Sequence, residues 1–399
     1  MRSLEDERMH EPAVAVPRHD AHELFTRQFW TACSVQFCAG MGLSLYILFP
    51  LFIRHLGGSE FIIGLYAGLT GAAAVAVRLP LARLLDTQGR RRVLTGAGLL
   101  HVATWIAFLW ITRLGVLSVS LVVLLGLASG SLFTALMTYA NDITPITRRS
   151  EGVGMFAVWG MLPNGLGPWL GDYLIQHAGF HTYFLVAASF AALSLGLTQL
   201  LPETMPSRAT GTDGEAGALF PYRDLLVLLG TTLVFAAAIN GLFTFLAPFT
   251  QRQGGSGVGR FFMSYALTAV AVRVLTGRLP DRVGLRRVLV AALFLYAGGV
   301  LLVPWFNGAG ALIAIGVICG AGHGYAFPIL NALMVEQVSP THRGRAVSWL
   351  TAMFDLGNTL ANPLLGAVAE WAGYAAMFSA AGAAVLVTTA LLWRKWAPL

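Results

Sequence analysis

The chain has 399 residues, of which 56% are hydrophobic and only 11% charged, and its 26 Lys+Arg against 19 Asp+Glu leave a net charge of +7. A soluble domain carries about a quarter charged residues, so this chain has too little polar surface to face water all round and is expected to use the lipid bilayer as its main solvent. The positive balance does not indicate nucleic acid, because the basic residues cluster in short loops between apolar runs without interleaved aromatics, the pattern of charge that sets membrane topology.

Residues 1–28 are polar and mixed in charge. They lack the apolar core of a signal peptide and read as a cytoplasmic tail. A membrane-spanning helix needs about 20 mostly apolar residues. Such stretches follow at 29–53, 61–84, 93–111, 116–139, 153–175 and 183–201, and again at 225–249, 257–280, 288–306, 311–335, 346–369 and 374–393. Between the two sets, 202–224 is rich in Gly, Thr, Pro and acid, which is linker composition. The expected fold is an all-α membrane protein of twelve transmembrane helices in two pseudo-symmetric six-helix bundles, 29–201 and 225–399, joined by a cytoplasmic linker.

The halves are copies. Ala74-Val75-Ala76-Val77-Arg78, followed by Asp86, Gly89, Arg91 and Arg92, returns as Ala269-Val270-Ala271-Val272-Arg273, followed by Asp281, Gly284, Arg286 and Arg287, at a constant offset of 195 residues. The register continues through Pro145 with Pro340, Arg148 with Arg343, Pro168 with Pro363 and Gly171 with Gly366. Internal duplication of membrane helices marks a secondary transporter with its site where the halves meet.

Orientation follows from Lys and Arg. Arg90, Arg91, Arg92, Arg148, Arg149, Arg286, Arg287, Arg343 and Arg345 fall on the side of the N-terminus, and the opposite loops hold only a few, including Arg54, Arg113, Arg252 and Arg260. The positive-inside rule places both termini in the cytoplasm of a bacterial-type inner membrane. Glycines at four-residue spacing, Gly64/Gly68, Gly126/Gly130 and Gly316/Gly320/Gly324, are expected to let helices approach closely in lipid. The same packing accounts for Gly320-Ala321-Gly322-His323-Gly324, which sits mid-stretch with no strand before it. Cys33, Cys38 and Cys319 lie in apolar runs without metal spacing and read as free, buried thiols.

Gly277-Arg278-Leu279-Pro280-Asp281-Arg282-Val283-Gly284-Leu285-Arg286-Arg287, with a first copy running from Ala82 through Asp86, Gly89, Arg90 and Arg91, resembles the cytoplasmic loop signature of the major facilitator superfamily. The resemblance implies a gate. Asp86 would face the positive N-terminus of the eleventh helix near Ala346. Arg90 or Arg91 would pair with Asp142, and Arg286 or Arg287 with Glu336. The alternative is that these charges only fix topology and loop shape. Gly154, Pro163, Gly167-Pro168 and Gly171-Asp172 look like the antiporter motif of the same superfamily, with Pro163 and Asp172 replacing two glycines, while Gly126 stands where the antiporter Arg would fall. Phe49-Pro50 with Leu56-Gly57-Gly58-Ser59, and Phe354-Asp355-Leu356-Gly357 with Gly373-Tyr374, are similar to its bacterial efflux permeases.

Ionisable residues deep in membrane helices are functional candidates. Here they are Arg78, Arg273, His323 and Asp355, whereas Asp172 stands near an external helix end and is expected to meet water. Arg78 lies about 12 Å inward from Asp86, and Asp355 about 13 Å inward from Ala346. If these helices are neighbours the two charges share a depth and pair; the alternative is that Arg78 and Arg273 both snorkel toward the cytoplasm. Asp355 maps back to Gly160, so Arg273 lacks the equivalent acid and is free for substrate or another polar group. His323 suits a proton carrier or substrate contact, or equally a neutral hydrogen-bonding residue. Asn240 could orient substrate or bond across helices. The resemblance implies that the first, fourth, seventh and tenth helices line the path.

The function expected is export of a small amphiphilic or weakly polar molecule, coupled to protons, by alternating access and as a monomer. Proton-coupled uptake of a small anion is the alternative, and a non-transporting membrane sensor is a third reading. No nucleophile–base pair, metal cluster or phosphate loop suggests catalysis or a cofactor.

Overall fold

A computed structural model describes residues 24–204, 223–305, 308–338 and 343–396. Most of the expected tail (1–23) and of the linker (205–222) lies outside them. Among the described residues all regular structure is helical. The first apolar stretch forms α1 (Arg27–Leu45) and α2 (Phe49–His55) across a 3-10 turn at Tyr46–Leu48. Pro50 explains the turn: it has no N–H for the Tyr46 carbonyl, and its ring crowds that oxygen. The second forms α3 (Glu60–Ala76) and α4 (Arg78–Gln88), loosened at Val77 ahead of Pro80. Then come α5 (Arg90–Phe108), α6 (Val116–Ile143), α7 (Arg149–Met161) and α8 (Pro163–Thr198). The second half runs α9 (Arg223–Arg252), α10 (Gly259–Leu275), α11 (Leu279–Val283), α12 (Leu285–Leu302), α13 (Ala309–Glu336) and α14 (Arg343–Trp396). The long α8 and α14 each turn sharply within, at Gly179 and Gly373. Among the described residues seven helical stretches are long and apolar enough to cross a bilayer, and Glu151–Thr198 and Ala346–Trp396 are the two that contain these turns.

Within the first half α1 packs on α8, α3 on α6, and α5 on α6 and α8. Within the second, α9 and α12 pack on α14, and α10 and α12 on α13. The halves meet along α3 with α14 and along α8 with α10. Because α3 and α10 occupy equivalent places in the repeat, as do the first parts of α8 and α14, these two seams are images of each other. Glycine makes them close. A Cβ at Gly64 would stand 2.2 Å from the Asn362 carbonyl oxygen of α14, and one at Gly165 would stand 2.7 Å from Ala266 Cβ of α10. Inside the halves, Gly126 and Gly320 do the same against the Thr70 and Tyr265 carbonyls, at 2.3 and 2.4 Å.

Two ends of the molecule can be told apart by contacts. At the terminal end, Gln28 donates to Tyr139 Oη, Tyr139 donates to the Pro202 carbonyl, and Arg286 lies over Trp396. At the far end stand Arg54, Ser59, Asp172, Arg252 and Glu370. Trp110 and Trp305, repeat mates, stand exposed near the far end with Trp371, as amphipathic rings do at a headgroup layer. Between the ends, exposed Leu99, Leu267, Leu364 and Val387 give the apolar outer surface that lipid requires.

Candidate functional site

A cavity of about 410 Å³ opens between the halves, on the terminal side of the middle. Gln36 of α1, Phe133 of α6, Gly160 and Met161 of α7, and Asn164 of α8 supply one wall. Arg273 of α10, His323 and Phe327 of α13, and Phe354 of α14 supply the other. A smaller cavity of about 170 Å³ lies toward the far end, lined by Tyr46, Thr70, Asn240, Phe243, Thr244 and Asn358. Ile47 touches both cavities and separates them. The path expected from the first, fourth, seventh and tenth stretches is therefore divided. The first, fourth and tenth line the larger cavity with the fifth, eighth and eleventh, whereas the seventh, which carries Asn240, lines the smaller one. Asn240 Nδ2 donates to the Ala236 carbonyl of its own helix at 2.8 Å.

The structure brings Arg78 and Asp355 together across the α3–α14 seam, with Nη1 and Nη2 each reaching one carboxylate oxygen. Pro80 loosens the helix at Val77, one residue before Arg78, and the glycines at Gly64, Gly68 and Gly71 bring α14 within reach. Arg273 has no such partner. Its Nε donates to the Gly324 carbonyl at 3.2 Å and its Nη1 meets Met161 Sδ at 2.8 Å. Among the described residues no carboxylate pairs with it. His323 Nδ1 is bonded to the Tyr265 hydroxyl, and Phe235 and Phe327 pack edge-on to its ring.

The loop signature adopts different arrangements in the two halves. Gly89 (φ 88°) and Gly284 (φ 103°) reverse the chain between helices in a conformation only glycine takes freely. Arg90 is the arginine that pairs with Asp142, Nε to Oδ2 at 2.9 Å, and it also donates to the Leu85 carbonyl and lies 3.5 Å from Asp86. Arg91 instead donates to the Leu201 carbonyl. Asp86 is 69% exposed, and the contact described for it is with Arg90 rather than with the start of α14 near Ala346. In the second copy, among the described contacts, neither Arg286 nor Arg287 forms an ion pair with Glu336, and Arg286 rests on the Trp396 ring at 5.3 Å. The register explains this. The residue equivalent to Arg90 is Leu285, and the residue equivalent to Asp142 is Gln337, so both partners of the first-half pair are gone. Asp281 is exposed on α11.

The far end holds contacts the sequence reading did not anticipate. Asp172, expected to meet water, accepts the Gly259 N–H that opens α10, at 3.2 Å. Glu370 accepts the Phe61 N–H at the start of α3 at 2.9 Å, and also the Ser59 hydroxyl. Each acid thus caps a helix of the other half. Arg54 donates to the Pro248 carbonyl at 2.7 Å, and Arg252 lies 3.3 Å from Glu60. Asp172 and Glu370 are acids near the ends of equivalent helices, but nothing in the chain marks their partners, which start helices 87 and 309 residues away. At the terminal end Glu203 was also missed; it accepts the Arg91 and Arg92 N–H groups that begin α5.

The sequence model of the Major Facilitator Superfamily matches residues 32–279 and 254–398. The MFS-type transporter STM4428 of Salmonella typhimurium is 26% identical over 88% of this chain and 92% of its own length. The multi-drug resistance efflux pump PmrA of Streptococcus pneumoniae is 25% identical over 86% and 90%. Among solved structures, the nucleoside transporter NupG superposes with a TM-score of 0.78 at 14% identity, covering 94% of this chain and 100% of NupG, a likeness of fold.

Proposed function

The chain belongs to the Major Facilitator Superfamily, and from that premise we propose that it exports a small amphiphilic or weakly polar molecule across a bacterial-type inner membrane by proton-coupled alternating access. The observation that carries this reading is the pairing of a far end latched by contacts between the halves with a cavity lying between them on the terminal side. With both termini in the cytoplasm, that arrangement is the inward-facing state of a carrier, ready to load cargo from inside. The similarity to an efflux pump supports export.

In this reading 29–201 and 225–399 rock against one another over the 202–224 linker. The terminal-end groups Asp86, Gly89, Arg90, Arg91 and Asp142, with Asp281, Gly284, Arg286, Arg287 and Glu336 in the second half, form the gate that closes when the far end opens. Arg78 with Asp355, and His323, carry coupling. Arg273, His323 and Asn240 meet cargo along the path. The protein acts as a monomer, with the proton and the cargo as its ligands.

A deletion strain profiled for retained metabolites supplies candidate cargo, and everted vesicles test the mechanism. Cargo should accumulate in the acidified lumen and leak out when a protonophore is added. His323→Gln should abolish that accumulation while sparing exchange. Accumulation only in right-side-out vesicles would support the second reading, proton-coupled uptake of a small anion, which the lack of a carboxylate partner at Arg273 favours. Accumulation in neither would overturn both.

A further inference from the structure

We infer that the central cavity is built for a cargo bearing one acidic group, with Arg273 and Gln36 anchoring its carboxylate and the aromatic wall holding its apolar body. The inference rests on that cavity being the cargo site and adds the chemical class of the cargo.

The first observation is charge. Arg273 lines the cavity within the membrane, where an uncompensated charge is costly. A guanidinium has five N–H donors. The described contacts use Nε on a carbonyl and Nη1 on a thioether sulfur, a weak acceptor. The remaining donors have no protein acceptor among the described residues. A planar fork of this kind matches a carboxylate in two-point geometry.

The second observation is the duplication. Arg78 shows what this position does when its charge is neutralised internally: it takes Asp355. The residue equivalent to Asp355 on the other seam is Gly160, beside Met161, which Arg273 touches. Where an acid would stand, Gln36 Nε2 lies instead, 2.5 Å from the position a Gly160 Cβ would take. Gln36 is only 8% exposed and makes no described hydrogen bond. Arg273 and Gln36 therefore approach consecutive residues of α7 from opposite halves. Both are donors. His323, with Nδ1 held by Tyr265, leaves Nε2 without a described protein partner. Among the described residues no Asp or Glu lines the cavity. A buried cation without a described carboxylate, an unpaired amide donor and a glycine in the acid's place together specify an anion supplied from outside the protein.

The third observation limits the rest of the molecule. The walls beyond these groups are Leu43, Phe133, Leu136, Phe327 and Phe354, so the body is apolar or aromatic. A cavity of about 410 Å³ takes a compact molecule of drug-like or smaller size. The neutralised site would then hold one negative charge per cargo.

Fluorescence titration of purified protein in lipid nanodiscs tests this with two probes of nearly the same shape, dansylglycine, which carries a carboxylate, and dansylglycinamide, which does not. Dansylglycine should bind about tenfold or more tightly than the amide, the ratio a charge-assisted hydrogen bond supplies. Arg273→Gln should bring the ratio close to one by weakening dansylglycine far more than the amide, Arg273→Lys should keep part of the preference, and Gln36→Leu should weaken dansylglycine several-fold. Equal affinities in the unaltered protein, failure of dansylglycine to bind, or a preference that survives Arg273→Gln would each overturn the inference. Binding in nanodiscs needs no proton gradient or transport direction. Anion-selective binding without export would overturn the proposed export and leave this inference, and gradient-driven export with no anion preference would do the reverse.

Discussion

Arg78 and Arg273 are copies of one residue that keep different company, and the difference can be measured. Removing one member of a buried ion pair strands the other, at a cost of several kcal/mol when fully buried. Arg78 and Asp355 are partly shielded, at 27% and 19% side-chain exposure, so a loss of about 2 kcal/mol is expected for each pair member. Arg78→Ala and Asp355→Ala should both lower the thermal midpoint and transport, and the double exchange Arg78→Asp with Asp355→Arg should recover part of both. A double exchange no better than the single changes would remove the pair from the mechanism. Arg273→Gln strands no carboxylate and should leave the thermal midpoint within a degree or two of the parent. The sequence could reach this contrast because the register maps Asp355 onto a glycine. It could not reach Gln36, because a lone amide in an apolar run says nothing about what stands opposite it. Arg286 and Arg287 form no described ion pair with Glu336 in this state, and the register shows that the Arg90–Asp142 pair has no direct copy: Leu285 and Gln337 stand at the equivalent places.

At the scale of helices, two devices hold the halves together at the far end. One is the exchange of caps, Asp172 onto α10 and Glu370 onto α3. A helix cap contributes about 1 kcal/mol, so Asp172→Ala with Glu370→Ala should move the balance toward the far-open state by about tenfold or more. Spin labels at the far ends of α2 and α9 would show a longer distance population, and an unchanged distribution would mean that the caps are incidental. The other device is the glycine seam. A methyl group at Gly64 meets backbone, the Asn362 carbonyl, which cannot swing aside. Gly64→Ala should therefore cost about 1–3 kcal/mol and impair closure. Gly96→Ala, which meets nothing within 4 Å, should be silent or slightly stabilising, and equal thermal shifts for the two would argue against the seam. Glycine spacing was legible in the chain because close approach in lipid demands small residues at one-turn intervals. The caps were not, since an acid beside a helix end gives no sign of whether water or another helix's N-terminus lies in front of it.

For the molecule as a whole, the duplication made the two-fold plan readable, because each half repeats the same breaks and turns; which end stood closed was not readable, since one sequence serves every state of the carrier. Cross-linking Ser59→Cys to Glu370→Cys with a short thiol reagent should hold the far end shut and stop transport reversibly, while dansylglycine still binds. Continued transport through the cross-linked protein would exclude rocking at this seam. The two halves are also unequally tied together at the terminal end. In the first, Arg90 ties α5 to Asp142 and the Leu85 carbonyl, Glu203 covers the start of α5, and Thr204 reaches Asp142 as well. The second half has Leu285 and Gln337 at the equivalent places and no such knot among its described residues. A machine with one braced arm and one compliant arm does not share its bending equally. The first half then behaves as the frame and the second as the spring, and the terminal ends of α12 and α13 should exchange their amide hydrogens faster than those of α5 and α6. Duplication delivered two copies of one plan; if only one keeps its clasp, the other is the part expected to move.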